Sequence, residues 1–297
     1  MQNAIRKAEA LIEALSYVRS FRDKLTVIKL GGSAMEDPKA LQATLQDLVF
    51  METVGMRPVV VHGGGKAIDR AMAKAGITPR KIHGRRYTDD ASLQIVTDVL
   101  LKEVNASVVK KIRSLGGRAV GLHSSTLQAL FGEKLVLPPL EEGQRPIELG
   151  NVGHVTRVDH ELIHDFCAAG VVPVIPCLAH DDQERWLNVN ADTAASAVAA
   201  QLNAEKLVFL TDTPGILRHR EDPSSLIRHL DGQGVQQLIR EGIIAAGMIP
   251  KVEACLESLR QGVRKTHVID GRVPHSLILE IYTDRGVGTE IILGFSS

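Results

Sequence analysis

Hydrophobic and polar positions along the chain fall into two kinds of segment. Short runs of consecutive apolar, mostly β-branched residues are separated by longer stretches in which apolar residues recur every three or four positions. Continuous apolar runs are typical of strands buried on both faces, and the longer spacing is typical of amphipathic helices. The pattern therefore predicts an α/β fold with a central, mostly parallel sheet covered by helices on both faces.

The first half of the chain opens with a predicted amphipathic helix over its first twenty residues. The strands predicted after it cover residues 25–30, 58–62 and 118–123. The helices predicted between these strands cover residues 38–54, a segment that ends near Lys74, and 89–115. From residue 124 to residue 159, short apolar pieces alternate with Pro and Gly, which favours hairpins at the rim of the sheet.

The second half continues the alternation. Its predicted helices cover residues 160–169, 191–202, 234–241 and 250–261 and a segment from Pro274. Its predicted strands cover residues 171–179, 206–212, 266–269 and 289–293. Pro173 and Pro176 indicate that the first of these strands is short or lies at an edge. A change of composition near Arg185 predicts a lobe boundary, which divides the chain into residues 1–24, 25–185 and 186–297.

Composition narrows the class of partner. The 35 basic and 35 acidic side chains give a formal net charge of zero, and aromatic residues make up 3% of the chain. Nucleic-acid and membrane-surface binding leave a basic excess, so a small-molecule ligand is favoured. No apolar run reaches the length of a membrane span, and we expect a cytoplasmic protein whose three scattered cysteines have no assigned role.

Three consecutive glycines, Gly63, Gly64 and Gly65, lie between a predicted strand and a predicted helix. Glycine permits positive φ and lets a bound group approach the backbone N–H groups, and a helix N-terminus attracts anions. A tight turn that binds nothing is the alternative. The segment is not a Walker loop, because Ala67 follows Lys66 where that motif needs Ser or Thr.

Lys29 precedes a second glycine turn, Gly31 and Gly32, at the carboxyl end of the first strand. Ligands of open α/β sheets bind at that edge, although a strand-end lysine can also simply reach solvent. Two strand-to-glycine turns with oriented N–H donors suggest a polyanion held from two sides, as the phosphates of a nucleotide would be.

Short polar side chains open the alanine-rich helix at residue 191. Asn190 or Asp192 could simply cap this helix, but with Asn188 they could also hold a substrate and orient a lysine. Farther along, Thr211 and Asp212 end a buried strand.

Three other segments have a sharp turn or basic side chains that fit the same chemistry. Gly215 reverses the chain, and Lys251 lies in the first turn of a helix, where the macrodipole disfavours a cation. Arg85 and Arg86 could bind a substrate carboxylate, although a solvated pair is the commoner arrangement. Lysines, amide donors and one positioned carboxylate suit phosphoryl transfer.

Six segments in order, VIKLGGSAM, VVVHGGGKAID, NVNADTAA, LTDTPGIL, GMIPKVEAC and HVIDGRVPHSLILEIYTD, resemble the motifs of the amino-acid kinase superfamily and, within it, the N-acetylglutamate kinases. The resemblance covers most of residues 25–293. It implies a three-layer αβα sandwich with an acceptor-binding N-lobe and a nucleotide-binding C-lobe. Two segments depart from the family pattern on the acceptor side, at Arg85 and at residues 124–140.

The resemblance implies transfer of the γ-phosphate of ATP, with Mg²⁺ carried by the nucleotide, to the side-chain carboxylate of N-acetyl-L-glutamate in arginine synthesis. Lys29 and Lys251 would neutralise the phosphoryl group, and Asp192 would orient both lysines. The acceptor-binding set would be Gly63, Gly64, Gly65, Arg86, Asn188 and Asn190. The nucleotide-binding set would be Lys29, Gly31, Gly32, Thr211, Asp212, Gly215 and Lys251.

The segment ALSYVRSFRDK is similar to the N-terminal helix of arginine-inhibited members, which joins dimers into hexamers. The likeness places an arginine effector near Tyr17, Lys206, His267, Glu280 and Gly288. From the periodicity alone, packing of this helix on its own domain remains open. Two functional alternatives also remain, a kinase for another acylated amino acid such as an aminoadipate derivative and a non-catalytic assembly that senses arginine or a nucleotide.

Overall fold

The structure is a computed structural model, which describes residues 1–82, 84–124, 127–139, 145–245, 247–283 and 286–294. The α-helices alternate with the strands of a large sheet. They are α1 (Gln2–Phe21), α2 (Gly32–Glu36), α3 (Pro38–Thr53), α4 (Gly65–Lys74), α5 (Asp90–Asp98), α6 (Ala106–Ser114), α7 (His160–Ala168), α8 (Ala191–Gln201), α9 (Gly232–Arg240), α10 (Ile249–Arg260) and α11 (Ser276–Ile281).

The strands are of two kinds, long central strands and short strands of the rim. They are β1 (Leu25–Leu30), β2 (Arg57–His62), β3 (Lys81–Ile82), β4 (Arg85–Arg86), β5 (Ala119–Gly121), β6 (His123–Ser124), β7 (Leu127–Gln128), β8 (Leu130–Leu137), β9 (Ile147–Val158), β10 (Val172–Pro176), β11 (Leu178–His180), β12 (Trp186–Val189), β13 (Lys206–Thr211), β14 (Ile216–Leu217), β15 (Leu226–Ile227), β16 (His229–Asp231), β17 (Lys265–Asp270) and β18 (Thr289–Ile292).

Eight strands form one sheet in the order β16-β18-β17-β13-β1-β2-β10-β5. Neighbouring strands are parallel except β17 and β18, which run antiparallel. The predicted, mostly parallel sheet is thus confirmed. It is continuous across β1 and β13, which come from opposite sides of the proposed lobe boundary near Arg185, and that division stays a prediction.

The sheet separates two buried apolar layers, which completes the predicted three-layer sandwich. Within β1, Val27 joins the layer that includes α8 and α10, whereas Ile28 joins the layer that includes α3, α6 and α11. Successive residues of a strand point to opposite faces, so a strand buried on both sides needs an unbroken apolar run. Because Lys29 follows Val27 by two residues, its side chain lies on the same face of the sheet, toward α8.

Strand β10 agrees with the first of the two alternatives predicted for it, a short strand. It lies between β2 and β5 and is not an edge strand. Only three residue pairs join it to β2 and three to β5. The strand therefore accommodates Pro173 and Pro176, although each proline removes a backbone donor.

The rim carries the predicted hairpins. Strands β8 and β9 pair antiparallel, and with the β11–β12 hairpin they close into a small four-stranded barrel that the sequence pattern did not predict. Residues 125–126 and 140–144 of the predicted hairpin region lie outside the described residues. Because β12 runs beside β9, the barrel positions Asn188 opposite Val152.

The long helix predicted for residues 89–115 is present as α5, a π-helical segment Val99–Asn105, and α6. The wider π turns replace the usual hydrogen bonds over seven residues in the middle of the helix. Such segments often occur at functional sites, and this one lies against the triple-glycine turn.

Helix α1 matches its prediction over Gln2–Phe21, and the side chains described as packing on the core, Tyr17, Val18 and Phe21, lie at its carboxyl-terminal end. Its amino-terminal apolar side chains are exposed, with Leu11 at 72% and Ile12 at 70%. Across the described ranges, no helix combines the length and apolar character that a membrane crossing requires.

Candidate active site

A single carboxylate, that of Asp192, holds two lysines at the carboxyl edge of the sheet. Its Oδ1 lies 2.7 Å from the Nζ of Lys29, and its Oδ2 accepts a hydrogen bond of 2.8 Å from the Nζ of Lys251. The side chains of Lys29 and Asp192 are only 9% and 10% exposed. Two cations therefore converge on one point of the molecule, as the predicted set of three residues requires.

Local structure brings the three residues together from distant parts of the chain. Lys29 is the next-to-last residue of β1 and points toward α8, while Asp192 lies in the first turn of α8. The cap of α8 is Asn190, whose side-chain oxygen accepts hydrogen bonds from the N–H groups of Asp192 and Thr193. Capping fixes the first turn and leaves the Asp192 carboxylate for the lysines.

The electrostatics of this cluster favour its charged form. Burial raises the pKa of Asp192, but the charges of Lys29 and Lys251 outweigh burial and hold the pKa below its ordinary value. Lys251 lies in the first turn of α10, where the macrodipole repels a cation, and the ion pair with Asp192 offsets that repulsion.

The two glycine turns flank the cluster. Their need for glycine has a different cause from the positive φ that the sequence suggested. None of the three glycines from Gly63 to Gly65 has positive φ, so that part of the prediction is wrong. Close packing excludes a side chain instead, since a Cβ at Gly64 would lie 2.8 Å from Leu100 Cδ2 and one at Gly31 would lie 2.5 Å from Leu210 O. Each turn therefore has one position, Gly31 or Gly64, where no side chain fits, whereas Gly65 has open space around it.

A cavity of about 190 Å³ borders the triple-glycine turn. Every residue predicted to bind the acceptor lines it, namely Gly63, Gly64, Gly65, Arg86, Asn188 and Asn190. Arg85, the departure from the family pattern, lines it as well. A Cβ at Gly63 would lie 3.2 Å from that of Ala191, the neighbour of Asp192, so this cavity adjoins the lysine cluster.

The polar groups of this cavity already have protein partners. The Nη2 of Arg86 forms an ion pair of 2.5 Å with Oδ1 of Asp69, and Nδ2 of Asn188 donates to Oγ1 of Thr88 over 3.0 Å. A guanidinium has five N–H donors, so Arg86 can bind a carboxylate without leaving Asp69. The predictions for this cavity missed both partners, which hold the two side chains in place.

A second cavity, of about 450 Å³, borders the cluster at Lys251. Four predicted nucleotide-binding residues line it, namely Thr211, Asp212, Gly215 and Lys251. Gly215 has φ +139°, and a Cβ there would lie 2.6 Å from Oγ1 of Thr289, so both conformation and space require glycine. The apolar wall formed by Ile243 and Ile244 had no signal in the sequence that distinguished it from core.

A second polar cluster lies at the amino edge of the same sheet, and it joins the residues predicted for an effector. His267 Nδ1 donates to Glu280 Oε1 over 2.8 Å, and His267 Nε2 lies 3.4 Å from Lys206 Nζ. The N–H of Gly288 donates to Glu280 Oε2, and the ring of Tyr17 packs edge-on against Tyr282 of the same region. Burial lowers the pKa of both His267 and Lys206.

Comparison with known proteins identifies the family. Residues 24–270 match the model of the amino acid kinase family. Over 97% of its length the chain is 42% identical to an acetylglutamate kinase of Methanococcus vannielii, covering 98% of that protein. Over 98% of its length it is 43% identical to an acetylglutamate kinase of Heliobacterium modesticaldum, covering 100% of that protein.

A solved structure shares the fold. The N-acetylglutamate synthase of Neisseria gonorrhoeae, in complex with coenzyme A and N-acetyl-glutamate, superimposes with a TM-score of 0.84 at 24% identity. The likeness covers 97% of this chain and 64% of the synthase chain. From the family model and the two full-length relatives together, the chain belongs to the amino acid kinase family and, within it, to the acetylglutamate kinases.

Proposed function

We propose that the chain uses the Lys29–Asp192–Lys251 cluster to transfer the γ-phosphoryl group of ATP to the side-chain carboxylate of N-acetyl-L-glutamate, as the activity of its relatives suggests. The product is an acyl phosphate, the activated intermediate of arginine synthesis. One observation carries the assignment of the site, namely that two lysines share one buried carboxylate between two cavities.

The chemistry requires neutralised charge more than proton transfer. A side-chain carboxylate is ionised at neutral pH, so its oxygen attacks the γ-phosphorus without a general base while the bond to the β-phosphate oxygen breaks. Repulsion between two anions is the main barrier, and preorganised cations lower it. Lys29 and Lys251 supply this charge, and Asp192 fixes their positions without itself touching the reacting atoms.

The smaller cavity suits the acceptor. Arg86 binds the α-carboxylate of N-acetylglutamate, Asn188 contacts its N-acetyl region, and Asn190 closes the cavity beside them. The N–H groups of Gly63, Gly64 and Gly65 face the reacting carboxylate and the phosphoryl group that passes to it. The cavity volume of about 190 Å³ and its basic residues support this assignment over a nucleotide.

The larger cavity suits the nucleotide. Thr211, Asp212 and Gly215 border the nucleoside. Gly31 and Gly32 do not line this cavity; a Cβ at Gly31 would lie 3.6 Å from Lys29 Nζ, so this turn contacts the phosphates where they reach the lysine cluster. The divalent cation of the reaction is Mg²⁺, which prefers phosphate oxygens together with one or two carboxylates. Both oxygens of Asp192 already bind lysines, so a cation that enters with ATP fits this site better than one held by that carboxylate.

Acyl phosphate formation tests the function directly. The protein is incubated with MgATP and either N-acetyl-L-glutamate or N-acetyl-L-aminoadipate, and the product is trapped with hydroxylamine as a hydroxamate. We expect turnover with N-acetylglutamate and at least tenfold lower kcat/KM with the longer homologue, because one methylene is worth about 1–3 kcal/mol in a fitted cavity. Preference for the homologue would reassign the acceptor, and ATP binding without turnover would favour a non-catalytic sensor.

The amino-edge cluster, defined by Lys206, His267 and Glu280, is our proposed arginine site. Glu280 is a buried carboxylate suited to a guanidinium. Helix α1 covers the cluster, and the centroid of its Phe21 ring lies 4.7 Å from Lys206 Nζ. Gly288 donates to Glu280, and Tyr17 packs against Tyr282, two residues beyond Glu280. Arginine bound there would contact α1 and the sheet together, which gives feedback inhibition a structural route.

The exposed apolar stripe of α1 is our proposed contact between subunits, in a cytoplasmic hexamer built from dimers. Leu11 and Ile12 have no cover within the described chain, and a second copy of α1 offers the same stripe. Deletion of residues 1–20 should give dimers that arginine no longer inhibits, measured by light scattering and by the assay above. A hexamer that survives the deletion would show that α1 serves its own subunit only.

A further inference from the structure

A buried polar pair lies behind the triple-glycine turn, outside the cluster that handles the phosphoryl group. His62, the last residue of β2, is 0% exposed, and Asn105, at the end of the π-helical segment, is 1% exposed. His62 Nδ1 lies 3.1 Å from the carbonyl oxygen of Gly63, and its Nε2 lies 2.9 Å from Asn105 Nδ2. Asn105 Nδ2 also donates to the carbonyl oxygen of Val174 in β10.

This network fixes the proton on the histidine ring. The amide nitrogen of Asn105 can only donate, so His62 Nε2 must accept from it and the ring proton must lie on Nδ1. Nδ1–H then donates to the oxygen of Gly63. Burial lowers the pKa of His62 to about 4, which keeps the ring neutral at neutral pH.

The π-helical segment supports the glycine turn at a second point. A Cβ at Gly64 would lie 2.8 Å from Leu100 Cδ2 and 3.6 Å from Val104 Cγ2, so the turn rests directly on this segment. The same segment supplies Asn105. Side chains of one helical segment thus contact Gly64 through packing and control the peptide before it through His62.

The carbonyl group of Gly63 and the N–H of Gly64 belong to one peptide unit. In a trans peptide the C=O and N–H point in opposite directions, so a Gly63 carbonyl held by His62 directs the N–H of Gly64 away from the buried ring. We infer that His62 and Asn105 are positioning residues that orient the Gly64 N–H toward the acceptor cavity. This inference rests on the proposed function of that cavity.

Two replacements of His62 separate positioning from simple packing. The side-chain amide of Asn ends near the place of Nδ1 and can donate to Gly63, whereas that of Gln ends near Nε2 and keeps only the contact with Asn105. We expect His62→Gln to lower kcat/KM for N-acetylglutamate by about 10- to 100-fold, as loss of one oriented donor does. We expect His62→Asn to recover at least about tenfold of that loss.

The two substrates provide the internal control. The KM for ATP should change by less than about threefold in both variants, because the hydrogen bonds described for the pair reach Gly63 and Val174, on the acceptor side of the cluster. Equal losses in the two variants, or a loss shared by ATP and the acceptor, would show that His62 serves packing alone and would overturn the inference.

A spectroscopic measurement on the wild-type protein does not depend on the substrate assignment or on the folding of a variant. In protein with ¹⁵N-labelled histidine, assigned by comparison with His62→Asn or, should that variant not fold, by sequential assignment, ring chemical shifts report the tautomer. A proton on Nδ1 of His62 is expected, and a proton on Nε2 would overturn the inference. Failure of the proposed function would instead appear as absent turnover by wild-type protein with the tautomer unchanged.

Discussion

Two charged clusters lie at opposite edges and on opposite faces of one sheet. The carboxyl-edge cluster, Lys29, Asp192 and Lys251, lies on the α8 and α10 face, and the amino-edge cluster, Lys206, His267 and Glu280, lies on the face of α3 and α11. Strand β13 connects the edges, since it begins at Lys206 and ends at Thr211 in the larger cavity.

The clusters differ in how their charges are balanced. At the carboxyl edge, one carboxylate holds two lysines between two cavities, which leaves positive charge for an incoming anion. At the amino edge, Glu280 is bound by His267 and by two backbone N–H groups, and α1 covers the cluster. A site for transferring anions needs surplus cationic charge, whereas a site for a cationic effector needs a positioned carboxylate.

Removing a lysine at each edge is the strongest test of this difference. Lys251→Ala should lower kcat by about 100-fold or more, because a charge that stabilises the transition state is lost. The matched control is Lys265→Ala, which removes a lysine that pairs with Glu290 at the amino edge. It should change kcat by less than about threefold in the hydroxamate assay. Similar effects of the two variants would remove Lys251 from the mechanism.

Acid should destabilise the folded protein through His62, the buried histidine behind the triple-glycine turn. The pKa of this histidine is about 4 in the folded protein and 6.5 in the unfolded chain, so between these values the unfolded state binds more protons. The free energy of unfolding should therefore fall by about 3 kcal/mol from this group as pH drops from 6.5 to 4. Urea unfolding across this range should show a shallower pH slope for His62→Asn, and an unchanged slope would contradict a buried neutral ring.

The glycine turn should separate the two substrates. A side chain at Gly64 meets Leu100, so Gly64→Val should displace the turn and its N–H donors. We expect about a 30-fold loss in kcat/KM for the acceptor and less than about a threefold change in the KM for ATP. Steady-state kinetics with each substrate varied in turn measures both quantities. A larger effect on ATP would return this turn to the nucleotide phosphates.

The amino-edge cluster should govern inhibition rather than turnover. Glu280→Gln removes the charge that we assign to the guanidinium of arginine, and the half-inhibiting arginine concentration should rise about tenfold. For wild type and for Glu280→Gln, inhibition is expressed relative to the rate of the same protein without arginine. Unchanged inhibition would place the effector elsewhere.

The sequence predicted the sheet and the glycine turns well because these depend on local patterns. The run LTVIKL indicates a strand buried on both faces, and the position of Lys29 near its end follows from counting residues. The closed rim barrel, by contrast, depends on pairing between strands far apart in the chain. Pro173 and Pro176 left two alternatives for β10, a short strand or an edge strand, and the structure shows the first. The rule for proline could not choose between them, because it takes no account of how few pairs a short strand makes.

The candidate site divides in the same way. Each glycine turn could be recognised locally. The sharing of Asp192 by two lysines could not, because Lys251 lies 59 positions from Asp192 and Lys29 lies much farther away. Only the resemblance to a family suggested that sharing. The pair of His62 and Asn105 spans 43 positions and had no signal at all, since a buried Asn in a helix has the sequence pattern of an exposed one.

The central claim is that a carboxylate shared by two lysines makes phosphoryl transfer possible, and Asp192→Asn tests it most directly. Acyl phosphate formed from MgATP and N-acetylglutamate is measured beside ATP affinity in the same preparation. Turnover should fall by about 100-fold or more, because the amide no longer holds both cations in place, while ATP still binds. Turnover within about threefold of wild type would contradict the claim.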